Sequence, residues 1–233
     1  MLNETLDIPA LAARYAPRQR IQIRDVLDAQ AAADLHGVLT RGTPWQLIYH
    51  AGGTKGRLTP EQMASMPPQD RAALINRVYE QSLKSFGYLY NANTMTENYE
   101  RGDNPGHPLH RVFEFMNGPR MLDLIRGVTG IASVRRVTAQ ATLYLPGHFL
   151  NTHDDHINGH GRRVAYVLGM ARDWNPDWGG LLQFHDAQRD VEETIVPRFN
   201  ALSLFGVPQS HAVSVVAPRA PAGRLAITGW FHD

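Results

Sequence analysis

In the segment FLNTHDDHING, His153 and Asp155 stand two residues apart. If the segment is extended, residues i and i+2 point to one face and leave Asp154 and His156 on the other. An imidazole and a carboxylate on one strand face can bind a divalent metal from the same side. His211 opens a second candidate strand further along the chain. Two His and one carboxylate gathered on one side of a metal leave several coordination positions open for exogenous ligands. The same residue types two apart also occur without any metal, and eleven His in the chain make chance neighbours common. His148, His156 and His160 surround the motif but fall in expected loop or on the opposite strand face. His185 and His232 lie on candidate strands, where hydrogen bonding is the usual role of a histidine.

The donor set by itself leaves two metal chemistries open, since non-haem Fe(II) oxygenases and zinc hydrolases both use two His and one carboxylate. Arg224 separates them. It begins the segment RLAITGWFH, where Arg224, Ala226, Thr228 and Trp230 would share one face and Leu225, Ile227 and Phe231 the other. An arginine at the start of an otherwise apolar strand is expensive to bury without an anion. A dicarboxylate cosubstrate supplies one, because the guanidinium fork matches a carboxylate bidentately. The alternative is an Arg224 that reaches solvent or pairs with an internal acid.

The elements that must position these residues differ between the two halves. From about 28 to 129 the pattern is mainly helical. Asp28 caps AQAAADLHGVLT, Thr59-Pro60-Glu61 reads as a cap followed by first-turn proline, and 69–86 carries apolar residues at helical spacing. Helical candidates at 112–116 and 121–125 are divided by Asn117-Gly118-Pro119, and the stretch 100–107 reads as a loop. From 133 onward short β segments alternate with turns: 137–145, 163–170, 180–185, 200–205, 211–216 and 224–232. The run RVAYVLGM at 163–170 is nearly continuous in apolar residues, as a strand buried on both faces would be. The expectation is an α+β chain, mainly β with helical support. A single domain over 1–233 would divide into mostly helical support at 1–132 and a jelly-roll core at 133–233 carrying the metal site.

Composition sets the outer limits. Apolar residues at 43% and charged residues at 19% describe an ordinary folded protein, and a net charge of +1 offers no electrostatic reason for a nucleic-acid or membrane partner. No cysteine is present, which removes disulfides and thiolate metal ligands and fits a reducing cytoplasm. The start MLNETLDIPALAARYAPRQR lacks the pattern of a signal peptide, and no apolar stretch approaches the ~20 residues needed to span a bilayer. A cytoplasmic location is the expectation.

Several further pieces stand in a fixed order: HDD at 153–155, GRRVAYVL at 161–168, DWNPDWGG ending at Gly180, PRFNALSLF at 197–205, His211 and RLAITGWFH. Together, over roughly 135–233, they resemble the Fe(II)- and 2-oxoglutarate-dependent oxygenases of the prolyl-hydroxylase group, with the ribosomal prolyl hydroxylases the nearest likeness. The resemblance implies a double-stranded β-helix, with His153, Asp155 and His211 as iron ligands and Arg224 binding the distal carboxylate of 2-oxoglutarate. Fe(II), with 2-oxoglutarate and O2 as cosubstrates and ascorbate as reductant, would be the cofactors. Tyr144 matches a tyrosine nine residues before the first ligand that binds the cosubstrate in relatives; the plainer reading is a half-buried strand tyrosine. Thr228, Trp230 and Arg163 are candidate pocket residues, and Arg162 beside Arg163 could also face an incoming substrate. Trp230 is equally a core tryptophan, Arg163 a solvated loop edge, and Gly179-Gly180 a turn or bulge. An aspartate at 155, rather than the small residue of halogenating relatives, implies hydroxylation.

The resemblance points to a prolyl residue of a protein or peptide as substrate. A free amino acid or other small molecule is the alternative within the same chemistry. A non-catalytic metal-binding β-barrel module is the alternative of another class, and Arg224 counts against it, because a structural metal site needs no buried cation beside it. Oligomeric state is not legible in the sequence.

Overall fold

The strict alternation of RLAITGWFH becomes a strand with two different jobs. In the computed structural model, which describes residues 1–157, 159 and 161–233, Leu225, Ile227 and Phe231 join the main apolar core. Arg224, Thr228 and Trp230 line a cavity. His160 lies outside the described residues.

The elements in chain order are α1 (Ile8–Tyr15), β1 (Arg20–Arg24), α2 (Ala29–Arg41), β2 (Gln46–Ala51), β3 (Thr54–Leu58), α3 (Pro60–Ser65), α4 (Pro68–Ser82) and β4 (Tyr88–Asn93). There follow α5 (Met95–Arg101), α6 (Pro108–Met116), α7 (Pro119–Thr129), β5 (Arg136–Tyr144), β6 (Phe149–His153) and β7 (Arg162–Gly169). The last are β8 (Leu182–His185), β9 (Val191–Ile195), β10 (Ala201–Gly206), β11 (His211–Val213) and β12 (Arg224–His232). Local chemistry sets the helix starts. The Asp28 carboxylate accepts from the Ala31 N–H at the head of α2, and Thr59 with Gln62 forms a capping box at the head of α3. Proline occupies the first turn of α6 and of α7.

All strand pairs are antiparallel, in the order β1-β10-β7-β12-β5-β4-β6-β11-β8-β9, with the β2–β3 hairpin attached through β4. This is the double-stranded β-helix. One half of the sheet is β1-β10-β7-β12-β5, the other is β6-β11-β8-β9, and β4 joins them by pairing with both β5 and β6. β7 is buried on both faces as expected. Val164, Tyr166 and Leu168 meet the main core with α1, α2, α6 and α7, while Ala165 and Val167 pack inward with Leu182, Phe184 and Phe205.

The first 132 residues also supply β1 to β4, which belong to the sheet. These strands are short, and polar residues at Arg20, Gln22, Gln46, Asn91 and Asn93 interrupt their apolar pattern. Among the described residues, no helix is long and apolar enough to cross a membrane.

Ile227 is fully buried between the β5 and β7 pairings of β12. Ile227→Ala is expected to destabilise the protein by about 2–5 kcal/mol, from lost burial plus the cavity left behind. Urea unfolding measures this, and a loss below ~1 kcal/mol would show that the core there collapses freely.

Candidate metal centre

β6 and β11 pair in a register that sets His153 directly opposite His211. Their ring centroids are 4.2 Å apart. The third donor arrives by a different route from the one the spacing suggested. β6 ends at His153, and Asp155 lies beyond it at φ 63, in the left-handed region. Aspartate tolerates that conformation better than most residues. The turn carries its carboxylate between the two rings, with Oδ1 3.3 Å from His153 Nε2 and Oδ2 3.4 Å from His211 Nε2. One ligand atom from each of the three residues lies within 4.8 Å of the others.

The imidazoles are presented in one tautomer. His153 Nδ1 is 2.9 Å from the Asn151 carbonyl oxygen, and His211 Nδ1 is 2.8 Å from that of Gln209. A carbonyl only accepts, so each Nδ1–H donates, and Nε2 is the ring nitrogen turned toward Asp155. Burial, reinforced by the neighbouring His153, pushes the His211 pKa down to about 4 and keeps the ring neutral. Burial alone would raise the Asp155 carboxyl, but His153 and His211 facing it hold it below the usual carboxylate range. Two imidazole nitrogens and one carboxylate converging on a point make a divalent-cation donor set with an open side.

The donors border a cavity of about 490 Å³ between the two halves of the sheet, and Arg224 lines the same cavity. Arg224 is only 3% exposed, opposite Tyr144 on β5, with its guanidinium carbon 5.1 Å from the Tyr144 ring centre. No carboxylate pairs with it among the described residues, and its Nε has no hydrogen-bond partner. Burial pushes its pKa down, only partly offset by Tyr144. A buried, unpaired guanidinium facing a cavity is a site for an anion. The residues therefore fit both a divalent metal and a carboxylate-bearing cosubstrate.

Tyr144 is buried rather than half-buried, with its ring beside Arg224 and stacked on Tyr90 at 4.8 Å. Thr228 and Trp230 line the cavity as expected. Thr228 Oγ1 accepts from Gln140 Nε2 at 3.4 Å, and Gln140 also donates to the Tyr90 hydroxyl at 3.2 Å. Arg163 does not line the cavity. It points outward and pairs with Asp233, its Nε 2.8 Å from the carboxylate. A register shift against β12 between Phe231 and His232 breaks the alternation of β7 and turns Arg162 inward, its guanidinium 3.6 Å from the Trp230 ring centre and donating to the Asp155 carbonyl at 3.2 Å. Tyr90 and Gln140 were not singled out from the sequence, and the register shift decides which of Arg162 and Arg163 faces the cavity.

The glycine pair after Trp174 is a spacer for Arg224. The Trp174 indole N–H donates to the Gly179 carbonyl at 2.9 Å. Gly180 stands at φ +62, and a Cβ there would come within 3.1 Å of Arg224 Cδ.

Residues 139–232 match the family model described as the 2OG-Fe(II) oxygenase superfamily. The donor set fits the Fe(II) that this family's name carries. Among curated proteins the chain is similar to prolyl 3-hydroxylase OGFOD1. It is 36% identical to the mouse protein over 87 residues (34% of this chain, 15% of the relative). With the Xenopus laevis protein it shares 30% identity over 115 residues (46% and 22%). The matched segment is thus less than a quarter of either relative's length. Among solved structures, a Pseudomonas putida prolyl-4-hydroxylase superposes with a TM-score of 0.60 at 19% identity, covering 97% of this chain and 98% of that one. A Trichoplax adhaerens prolyl hydroxylase, solved with a hypoxia-inducible-factor peptide fragment, gives 0.62 at 18% identity, covering 97% and 89%. At these identities the structural likenesses establish the fold.

Gly180→Ala is expected to lower stability by about 1–2 kcal/mol, the cost of left-handed backbone for a residue with a Cβ. Urea unfolding at wild-type stability would mean that Arg224 and the 174–180 turn shift without strain.

Proposed function

We propose that this chain is an Fe(II)- and 2-oxoglutarate-dependent hydroxylase acting on a prolyl residue of a protein or peptide. In this reading His153, Asp155 and His211 hold the iron, and Arg224, backed by Tyr144, holds the distal carboxylate of 2-oxoglutarate. Arg224 carries the proposal: a buried cation without an acid partner opens onto the cavity that holds three metal donors. The names of the curated relatives and of two structural neighbours, all prolyl hydroxylases, support the substrate class.

When bound, the iron with 2-oxoglutarate and O2 supplies the oxidant that turns C–H into C–OH, with release of succinate and CO2. The protein's own part is to orient and to protect. Arg224 gives the dicarboxylate a fixed bidentate anchor deep in the cavity, where water competes least. The two Nδ1–H···O=C bonds fix the imidazole rings before the metal arrives. Phe86 and Tyr88 lie at the rim, with the Phe86 ring 5.5 Å from that of His153, and offer a pyrrolidine ring an apolar wall. Ascorbate, as the reductant that keeps the iron ferrous, belongs to the same proposal. So does the treatment of 1–233 as one unit, which the pairing of β1 with β10 and of β4 with β5 and β6 supports.

The test is succinate formation by anaerobically purified protein given Fe(II), 2-oxoglutarate and then O2, with a panel of proline-containing peptides and free amino acids. Turnover stimulated by a peptide, and lost in His153→Ala, Asp155→Ala and His211→Ala with folding retained, is the expected result. Stimulation by a free amino acid alone would move the substrate to small molecules. No 2-oxoglutarate binding by folded, iron-loaded protein would remove the oxygenase reading. Arg224→Lys should raise the 2-oxoglutarate concentration for half-maximal turnover on the order of tenfold, the equivalent of about 1.4 kcal/mol. An unchanged requirement would take Arg224 out of the cosubstrate site.

A further inference from the structure

Both histidines of the triad hydrogen-bond to the carbonyl of the residue two places before them, and both of those residues carry side-chain amides. Asn151 accepts from His153 through its backbone oxygen, while its Nδ2 donates to the Ser82 carbonyl at the end of α4, at 2.7 Å. Gln209 accepts from His211 in the same way. Its Nε2 donates to the carbonyls of Arg18 at 3.3 Å and Gln19 at 3.0 Å, and its Oε1 accepts from Arg20 Nη1 at 3.2 Å. Arg20 is itself immobilised. Its side chain is 7% exposed, and it donates to Glu192 and Glu193 at 2.7 Å each. Its guanidinium also lies 4.6 Å from the centre of the Phe184 ring, which in turn flanks His211.

We infer that Asn151 and Gln209 are paired positioning residues, whose amide side chains fasten the two metal-facing imidazoles to the N-terminal half of the chain. The inference rests on the metal reading above. Each backbone carbonyl orients one imidazole, and each side chain ties that carbonyl to a different N-terminal element: α4 for Asn151, and the segment entering β1 for Gln209. Two independent tethers thus act on opposite sides of the donor set. They give the N-terminal half a direct part in metal retention, beyond its share of the core.

The test is titration of the purified full chain with Co(II), followed by the d–d absorption of the bound ion, beside urea unfolding of the metal-free protein. Wild-type protein gives the reference affinity and His211→Ala the loss expected for a missing donor. Asn151→Ala and Gln209→Ala keep the carbonyl acceptors but remove their tethers, so each should raise the Co(II) dissociation constant severalfold, up to about tenfold, the lower end of the effect of losing an outer partner outright. Gln22→Ala serves as control, because Gln22 lies on β1 and donates to the Val196 carbonyl at 3.2 Å without touching the His211 loop. Its affinity should equal that of wild type. Gln209→Glu keeps side-chain length and an acceptor for Arg20 but loses the donors to Arg18 and Gln19, so it should also bind weakly. Wild-type affinity in both Asn151→Ala and Gln209→Ala would overturn the inference, with any loss of unfolding free energy then marking the amides as merely structural. Failure of wild-type protein to bind Co(II) at all would instead overturn the metal reading and this inference with it.

Discussion

The register between β6 and β11 is the constraint on which the site depends. Antiparallel pairing can set two residues directly opposite only in one alignment, and a slip by one residue turns a side chain to the other face. His153 and His211 are opposite here, close enough for their rings to approach within 4.2 Å. Everything else at the centre is arranged around that pair. Asp155 leaves the strand to reach between them, and the carbonyls of Asn151 and Gln209 fix which nitrogen each ring presents. The register in turn is held from outside by β8 on one side of β11 and by β4 on the far side of β6.

Arg224 adds a second kind of constraint. Burying a guanidinium without a counter-charge opposes folding, and the fold bears that cost inside an otherwise apolar sandwich. Tyr144 beneath it, Gly180 beside it and Trp174 behind the glycine pair make room for the cation without neutralising it. A site that keeps its cation unpaired has already met the desolvation cost that an incoming carboxylate would otherwise face. Stability and affinity thus pull in opposite directions at one residue.

The sequence disclosed the chemistry more readily than the architecture that delivers it. His153, Asp155, His211 and Arg224 stood out because their residue types are unusual in their settings, and the structure brings the first three together beside the cavity that the fourth lines. The reason given for Asp155 was incomplete, since period-2 alternation assumes a strand and the strand stops at His153. The choice between Arg162 and Arg163 was not legible, because it is made by a register shift between β7 and β12, which only the paired strands reveal. β1 to β4 were missed because short strands become strands through their partners: Arg20 and Gln22 on β1 look polar until β10 and the acids of β9 are placed beside them. Asn151 and Gln209 act through carbonyls and through contacts distant in sequence, which no local pattern records.

β12 lies in the interior of the sheet, hydrogen-bonded to β7 on one edge and β5 on the other. Both neighbours precede it in the chain, so neither edge can be satisfied until translation has passed residue 232. The half of the sandwich that faces the helices cannot close in the order of synthesis and must wait for its keystone. Such long-range pairing makes for slow assembly. Arg224 enters the cavity on the same strand that completes the core. A nascent chain holding its histidines in place would still lack the buried cation of the cavity.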